Sequence, residues 1–339
     1  MRAMRRFEAM KSDKEGRDFE AGPDDSGRRL DKVLRRLLAE LSLSEIYAAL
    51  RKGKIRVNGS KAEPNSRIAE GDKLYIHPSL AIEPRPPLAQ RGEDELSDLK
   101  DILILATNDI LFLNKPLGEL SQDAESGVSD LSARVRAALA GRSAASLSFS
   151  PGPLHRLDRN TSGVLAFSRS AAGARAFTSL VRERRIEKRY LVLVDGEVQE
   201  SMEWQDRILR DVRSRKSRVN ALGDEARASM RPLVAASRCS LLLVELHTGL
   251  THQIRVQASS RGIPLSGDSK YGSSPDRGAP RTGGYILHAL SLGFPEPPFP
   301  DIPRTVVAPL PEASRARLVG LFGEVGLASA LEDALLASS

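Results

Sequence analysis

Cysteine is almost absent: Cys239 is the one thiol in 339 residues, which excludes disulfides and cysteine-based zinc sites. It opens the apolar run Leu241-Leu242-Leu243-Val244 and reads as a small core hydrophobe. Five histidines, His77, His155, His247, His252 and His288, are scattered without metal-ligand spacing, so no metal is expected. Neither a G-x-x-x-x-G-K-[ST] phosphate loop nor a G-x-G-x-x-G fingerprint occurs, which disfavours a nucleotide hydrolase and a Rossmann cofactor site. No apolar stretch approaches the roughly 18 residues of a membrane span. Arg2, Arg5 and Arg6 are followed by no apolar signal core, and Glu15, Asp18, Glu20, Asp24 and Asp25 interleave with basic residues. That pattern speaks against a secretory signal or an acid-poor transit peptide, so a cytoplasmic protein is expected. Acid is short as well: 51 Lys and Arg outnumber 44 Asp and Glu, a net charge of +7. Such a bias points to a polyanionic partner, nucleic acid ahead of a membrane surface.

What is present divides the chain. Its length predicts two domains with tails. Residues 1–26 are charged and aperiodic, and read as a flexible arm. From Gly27 onward Leu30, Val33, Leu34, Leu37, Leu38 and Leu41 recur at helical spacing, with Arg28, Arg29, Lys32, Arg35 and Arg36 between them. Ser44 is the expected cap of a second helix carrying Ile46, Ala49 and Leu50, which ends at Gly53. Lys54-Ile55-Arg56-Val57, the turn pair Asn58-Gly59, and Gly71-Asp72 before Leu74-Tyr75-Ile76 supply short strands. The module covers 27–80. Its cations gather in two patches, Arg28, Arg29 and Lys32 on the first helix and Arg51, Lys52, Lys54 and Arg56 where the second helix enters its strand. They read as a phosphate-tracking surface. Residues 81–101, with Pro84, Pro86 and Pro87 and then a run of acids, form the expected linker.

Residues 102–325 form the larger domain, and 326–339 a terminal helix or tail. Ile102–Leu105 and Ile110–Leu113 flank Asn108-Asp109 as a hairpin; a helix on Leu131, Val135, Ala138 and Leu139 closes at Gly141. Val164–Phe167 is a strand, followed by a helix to about Arg185 and a buried strand Tyr190–Val194. Residues 208–220, rich in Arg and Lys, read as a mobile basic loop or ribbon over a polyanion, and 227–247 as a hairpin. Tyr285–Phe294 adds a further strand. Many short strands without regular βα alternation predict an α+β fold on a mixed or antiparallel sheet.

The chemistry centres on His155-Arg156-Leu157-Asp158-Arg159-Asn160-Thr161-Ser162-Gly163, a polar loop between the Gly152-Pro153 break and the strand Val164–Phe167. Asp158 is bracketed by two arginines, which favour its ionised form. Such a carboxylate suits a nucleophile or an electrostatic stabiliser better than a general acid.

Two resemblances give these features a context. Helix, helix, then K-I-R-V-N-G and a second G-D turn resembles the small S-four-type RNA-binding domain, also called the alpha-L motif, whose helices contact RNA backbone more than sequence. H-R-L-D-R-N-T-S-G resembles the catalytic motif of the RluA-type pseudouridine synthases. Three further stretches agree in the right order: Lys115-Pro116-Leu117-Gly118 with N-K-P-x-G, Lys188-Arg189-Tyr190-Leu191 with K-x-Y, and Thr248–Val256 with Gly267–Gly272 for T-G-x-x-H-Q-I-R and G-D-x-x-Y-G. The resemblance implies a cofactor-free isomerase that flips a uridine out of structured RNA and rejoins its base through carbon. It implies Asp158 as nucleophile, Tyr190 stacked on the uracil and available as base, Arg255 paired with Asp158, and Arg156 pushed into the gap in the RNA stack, with Arg159 beside it as a further RNA contact. The accessory domain implies ribosomal RNA, of the large subunit, as partner, and a monomer is the default. Leu250, Gln257 and Glu119–Gln122 depart from the family's usual residues. A transfer-RNA synthase, or a non-catalytic RNA clamp of the same fold, remains open at this level; a clamp has no use for Asp158 and its partners.

Overall fold

The computed structural model describes residues 16–80, 96–122, 130–140, 146–211, 213–214, 216–272 and 284–336. The first part of the expected arm (1–15), most of the linker (81–95), the helix stop at Gly141, Arg215 and the last residues of the tail (337–339) lie outside them. Two compact units emerge: one from the residues up to Leu99 together with Val135–Gly152 and Arg169–Gly173, the other from Lys100–Arg134, Pro153–Ser168 and the chain from Ala174 onward.

In the first unit β1 (Arg17–Glu20), α1 (Leu30–Leu37), α2 (Leu43–Arg51), β2 (Ile55–Val57) and β3 (Lys73–Ile76) follow in order, and the strands make an antiparallel sheet β1-β3-β2. Leu30, Val33, Leu34 and Leu38 meet Ile46, Ala49, Leu50, Ile55, Leu74 and Ile76 in one core. Each such side chain contributes about 1.5–3 kcal/mol on full burial. The arm expected over 1–26 is corrected here. Arg17–Glu20 pairs residue by residue with Ile76–Lys73, and the fully buried Asp25 accepts from Gly22 N, Leu147 N and Ser148 N at 2.9–3.0 Å. A carboxylate with that many donors is fixed structure. The helix cap also moves: Ser42, not Ser44, caps α2, its Oγ accepting from Glu45 N while Glu45 Oε2 accepts from Ser42 N at 2.8 Å.

The second unit holds a ten-stranded sheet. Its members are β4 (Leu103–Ala106), β5 (Ile110–Lys115), β6 (Ser162–Ser168), β7 (Glu187–Asp195), β8 (Met202–Asp211), β9 (Lys216–Val219), β10 (Asp224–Ala236), β11 (Cys239–Leu246), β12 (Leu287–Gly293) and β13 (Thr305–Val307). The order is β4-β5-β6-β12-β7-β11-β10-β8-β9, with β13 on β12, and every pair is antiparallel except β6 with β12. This is the mixed sheet expected. Strands β6 and β12, at its centre, are buried throughout. In the helix α4 (Ala171–Arg182), Phe177 and Leu180 pack on Phe112, Val164 and Ala166. In α6 (Glu312–Leu336), kinked at Gly323, Leu318, Leu327 and Ala330 cover Leu191, Leu193, Leu241 and Leu243. The expected division at 325/326 therefore falls inside a helix and marks no boundary. The basic segment 208–220 is built into the β8–β9 ribbon, with Ile208 opposite Val219. Two further helices are shorter, α3 (Leu131–Ala138) and α5 (Gln253–Ser260). Among the described residues no helix is long and apolar enough to cross a membrane.

Candidate active site

Asp158 sits on a loop strapped down by its backbone. Thr161 N–H donates to Asp158 O at 3.0 Å. Ser121 Oγ donates to Leu157 O at 2.8 Å and accepts from Leu157 N at 3.1 Å. Gly118 N–H and the buried Lys115 ammonium both donate to Arg159 O, and the ammonium also reaches Pro116 O and Glu119 O at 2.8 Å each. Three donors thus meet three carbonyls, and the K-P-L-G segment holds the nucleophile's loop. Just beyond, Gly163 has φ +114°, and a Cβ there would lie 2.2 Å from Ala289 O, so only glycine permits the parallel β6–β12 approach. Ala289 is also the register partner of Tyr190, which brings β7 to the same stretch of the sheet.

The carboxylate interacts electrostatically with Lys115, Tyr190, His252, Arg255, Lys270 and Tyr285. Its side chain is 23% exposed, open enough to meet a substrate, and His252 Nε2 lies 3.8 Å from Asp158 Oδ2. Burial, reinforced by Asp158, pushes the Tyr190 phenol well above its ordinary ionisation range, so it stands in the site as an O–H donor. Burial likewise pushes Tyr285 up to about 12. Two other histidines hold the frame as neutral rings. Loss of water brings His155, stacked on Phe177, down to about 3, and burial brings His288, bonded to Ser162 Oγ and Ala308 O, to about 4.

Burial draws Lys115 down to about 8, against the pull of Glu119 and Asp158. Above that pH it loses one of its three N–H donors, and we expect activity to fall with an apparent pKa near 8. Its contribution to stability runs the other way. The unfolded chain binds more protons between about 8 and the ordinary lysine value near 10.4, so this contribution rises with pH. A pH–rate profile beside denaturation midpoints from pH 7 to 9.5 checks both, and an alkaline limb unchanged in Lys115→Arg excludes Lys115 as its source.

Arg255 does not pair directly with Asp158 as expected. Its Nε and Nη2 donate to Asp268 Oδ2 and Oδ1 at 2.7 Å each, with both side chains buried. The guanidinium lies between the rings of Tyr271 (4.8 Å) and Tyr285 (4.5 Å). Asp268 takes the Nε and Nη2 side of the guanidinium, and Asp158 feels the cation through space. Arg156 and Arg159 are exposed beside the carboxylate, Arg159 Nε donating to Gly118 O at 2.9 Å. In the first unit Lys32, Arg51, Lys52, Arg56 and Arg29 are exposed, Arg56 Nε donating to Gly53 O at 3.2 Å and Arg29 paired with Asp31, while Arg28 donates to Ser148 O at 2.9 Å and Lys54 Nζ reaches Ser79 Oγ at 2.8 Å. Lys115, His252, Asp268, Lys270 and Tyr271 lay inside motifs read from the sequence without being given roles; Tyr285 was read only as the start of a strand. A separate 420 Å³ pocket lined by Arg184, Glu187, Glu203, Arg227, Glu245 and His247 shares none of these residues and mixes charges evenly.

The site is thus a loop-borne carboxylate between exposed arginines on a mixed sheet, in electrostatic reach of a buried phenol and a clamped guanidinium. The family model for RNA pseudouridylate synthase matches residues 109–260, and that for the S4 domain matches residues 28–74. The chain belongs to the RNA pseudouridylate synthase family and is an isomerase acting on RNA. It is 31% identical over 298 residues to ribosomal large subunit pseudouridine synthase C of Escherichia coli strain K12, covering 85% of this chain and 91% of that protein. The synthase C of Yersinia pestis is 31% identical over 305 residues, covering 88% and 93%. In fold, the chain is similar to human RNA pseudouridylate synthase domain containing 4, with a TM-score of 0.53 and 19% identity over 68% of this chain and 97% of that one.

Proposed function

We propose that the chain converts uridine to pseudouridine in large-subunit ribosomal RNA with Asp158 as nucleophile, working as a cytoplasmic monomer. The observation that carries the site assignment is the convergence on Asp158 of Tyr190, His252, Arg255 and Lys270, each with an electrostatic interaction with its carboxylate. The ribosomal target is supported by the relatives' names and by the S4 domain.

In this reading the carboxylate attacks the flipped nucleotide, at the sugar or at the base ring. The C1′–N1 bond breaks, the uracil turns, the C5–C1′ bond forms, the C5 proton leaves and N1 gains one. The sum is an isomerisation. Extrusion of the base has a cost that stacking on Tyr190 offsets by about 1–3 kcal/mol, while Arg156 fills the vacated stack and Arg159 holds the adjoining backbone. In the 27–80 module Lys32, Arg51, Lys52 and Arg56 track phosphates, with Arg28, Arg29 and Lys54 shaping the surface that presents them. Pseudouridine maps of ribosomal and transfer RNA, from cells with and without this protein, test the target. Sites lost from large-subunit RNA alone are expected; sites lost from transfer RNA alone overturn the address while leaving the reaction intact.

A further inference from the structure

A hydrogen-bonded line runs from the basic ribbon to His252, whose ring faces the Asp158 carboxylate. The Ser217 backbone N–H, on β9, donates to the Tyr271 hydroxyl oxygen at 2.9 Å. Tyr271 Oη lies 2.7 Å from His252 Nδ1, and His252 Nε2 faces Asp158 Oδ2 at 3.8 Å. The Ser217 hydroxyl gives its own proton to Thr251 O at 2.8 Å, which pins β9 to the residue before the histidine.

Proton counting sets the direction of this line. A phenol oxygen that accepts from an amide still has its single proton to give, and Nδ1 is the acceptor in reach. A neutral imidazole that accepts at Nδ1 carries its proton on Nε2. Burial, with Arg255 and Lys270, draws His252 below the ordinary histidine range against the opposing pull of Asp158 and Asp268, so the neutral ring prevails. Its backbone is held as firmly as its ring. His252 adopts φ +60° at the cap of α5, a left-handed conformation that costs a non-glycine residue about 1–2 kcal/mol. Gln253 Oε1 secures the turn by accepting from Thr248 Oγ1 and Leu250 N. Tyr271 meets the imidazole edge-on with ring centroids 5.5 Å apart.

We propose that His252 is a positioning residue for Asp158: Tyr271 occupies Nδ1, and the Nε2–H so fixed binds Oδ2 and leaves Oδ1 free to attack. The idea rests on Asp158 being the nucleophile. The 3.8 Å separation closes by roughly 0.8 Å to hydrogen-bond length when substrate fills the site, since catalytic contacts are commonly long in the free enzyme. Ser217 lies between the exposed Lys216 and Arg218. RNA phosphates held by the ribbon therefore bear on the amide that sets the phenol, and through it the carboxylate. Occupancy of the ribbon and aim of the nucleophile are one event.

Three variants and one spectrum test this. Gln at 252 can place an N–H where Nε2 was, and Asn is too short to do so. Tritium release from uridine-labelled RNA should fall by about 10²-fold in kcat for His252→Asn and by clearly less for His252→Gln, with KM within a few-fold for both. Tyr271→Phe keeps the ring on Arg255 and removes only the hydroxyl; it should lower kcat with KM unchanged. The ¹⁵N spectrum of the imidazole at pH 7 should show the Nε2–H tautomer in the wild type and a tautomer mixture in Tyr271→Phe. Equal kcat for the Asn and Gln variants, or an Nδ1–H tautomer in the wild type, overturns the proposal. If turnover survives Asp158→Ala, the parent reading fails instead, and the two failures are thereby told apart.

Discussion

Asp158→Ala is expected to abolish tritium release from RNA labelled at uridine C5 while leaving RNA affinity within a few-fold. The reaction cannot begin without the carboxylate, and loss of a nucleophile costs about 10⁴-fold or more in kcat. Binding should survive because the loop owes its shape to other atoms. Ser121 clamps Leu157, Lys115 and Gly118 hold Arg159 O, and Thr161 N–H closes the turn on the Asp158 carbonyl. None of these contacts uses the Asp158 side chain. Arg156 and Arg159 therefore keep their places for RNA, and the folded variant should melt within a few degrees of the wild type. Retained turnover would sink the assignment of Asp158; lost affinity with lost turnover would show that the carboxylate organises the RNA-facing arginines as well.

The sequence foretold most of the strands because they are long apolar runs: Ile110–Leu113, Val164–Phe167, Tyr190–Val194 and Leu241–Val244 are buried in the sheet. It did not foretell β1, where Phe19 is flanked by charge and the stabilisation comes from a partner strand more than fifty residues away. It also missed α5. That helix buries Gln253, Arg255 and Gln257, polar side chains satisfied by one another, by Asp206 on β8 and by Asp268, so no apolar stripe announces it. The parallel pairing of β6 with β12 joins residues 126 positions apart and has no local signature. At the site, motifs named the residues and not their pairing. Arg255 and Asp268 belong to two neighbouring stretches, and only the fold brings them to 2.7 Å. The expectation that Arg255 grips Asp158 gave way because the nearer Asp268 takes its Nε and Nη2.

That pairing makes Asp268→Asn the variant with the largest expected effect on stability. Both side chains are buried, 7% and 1% exposed, and the guanidinium is enclosed by two tyrosine rings. Removing one partner of such a pair leaves an unanswered cation out of water, at a cost of about 3–5 kcal/mol. An Asn amide can also turn its NH₂ toward the guanidinium. Asp268 further accepts from Lys270 N at 3.0 Å and Tyr271 N at 3.3 Å, so the loop that carries Tyr271 loosens with it. The melting temperature should fall on the order of 10 °C, and activity should vanish as Arg255 leaves its place near Asp158. Arg255→Lys should fare little better, since a single ammonium neither spans two carboxylate oxygens nor lies flat between rings. The decisive comparison is the double variant Arg255→Met with Asp268→Asn. With no orphaned charge it should regain most of the lost stability and none of the activity, separating the pair's cost to the fold from its work beside the nucleophile. An Asp268→Asn protein that melts like the wild type would mean that water reaches Arg255 after all, and that its hold near Asp158 comes from the tyrosine rings alone.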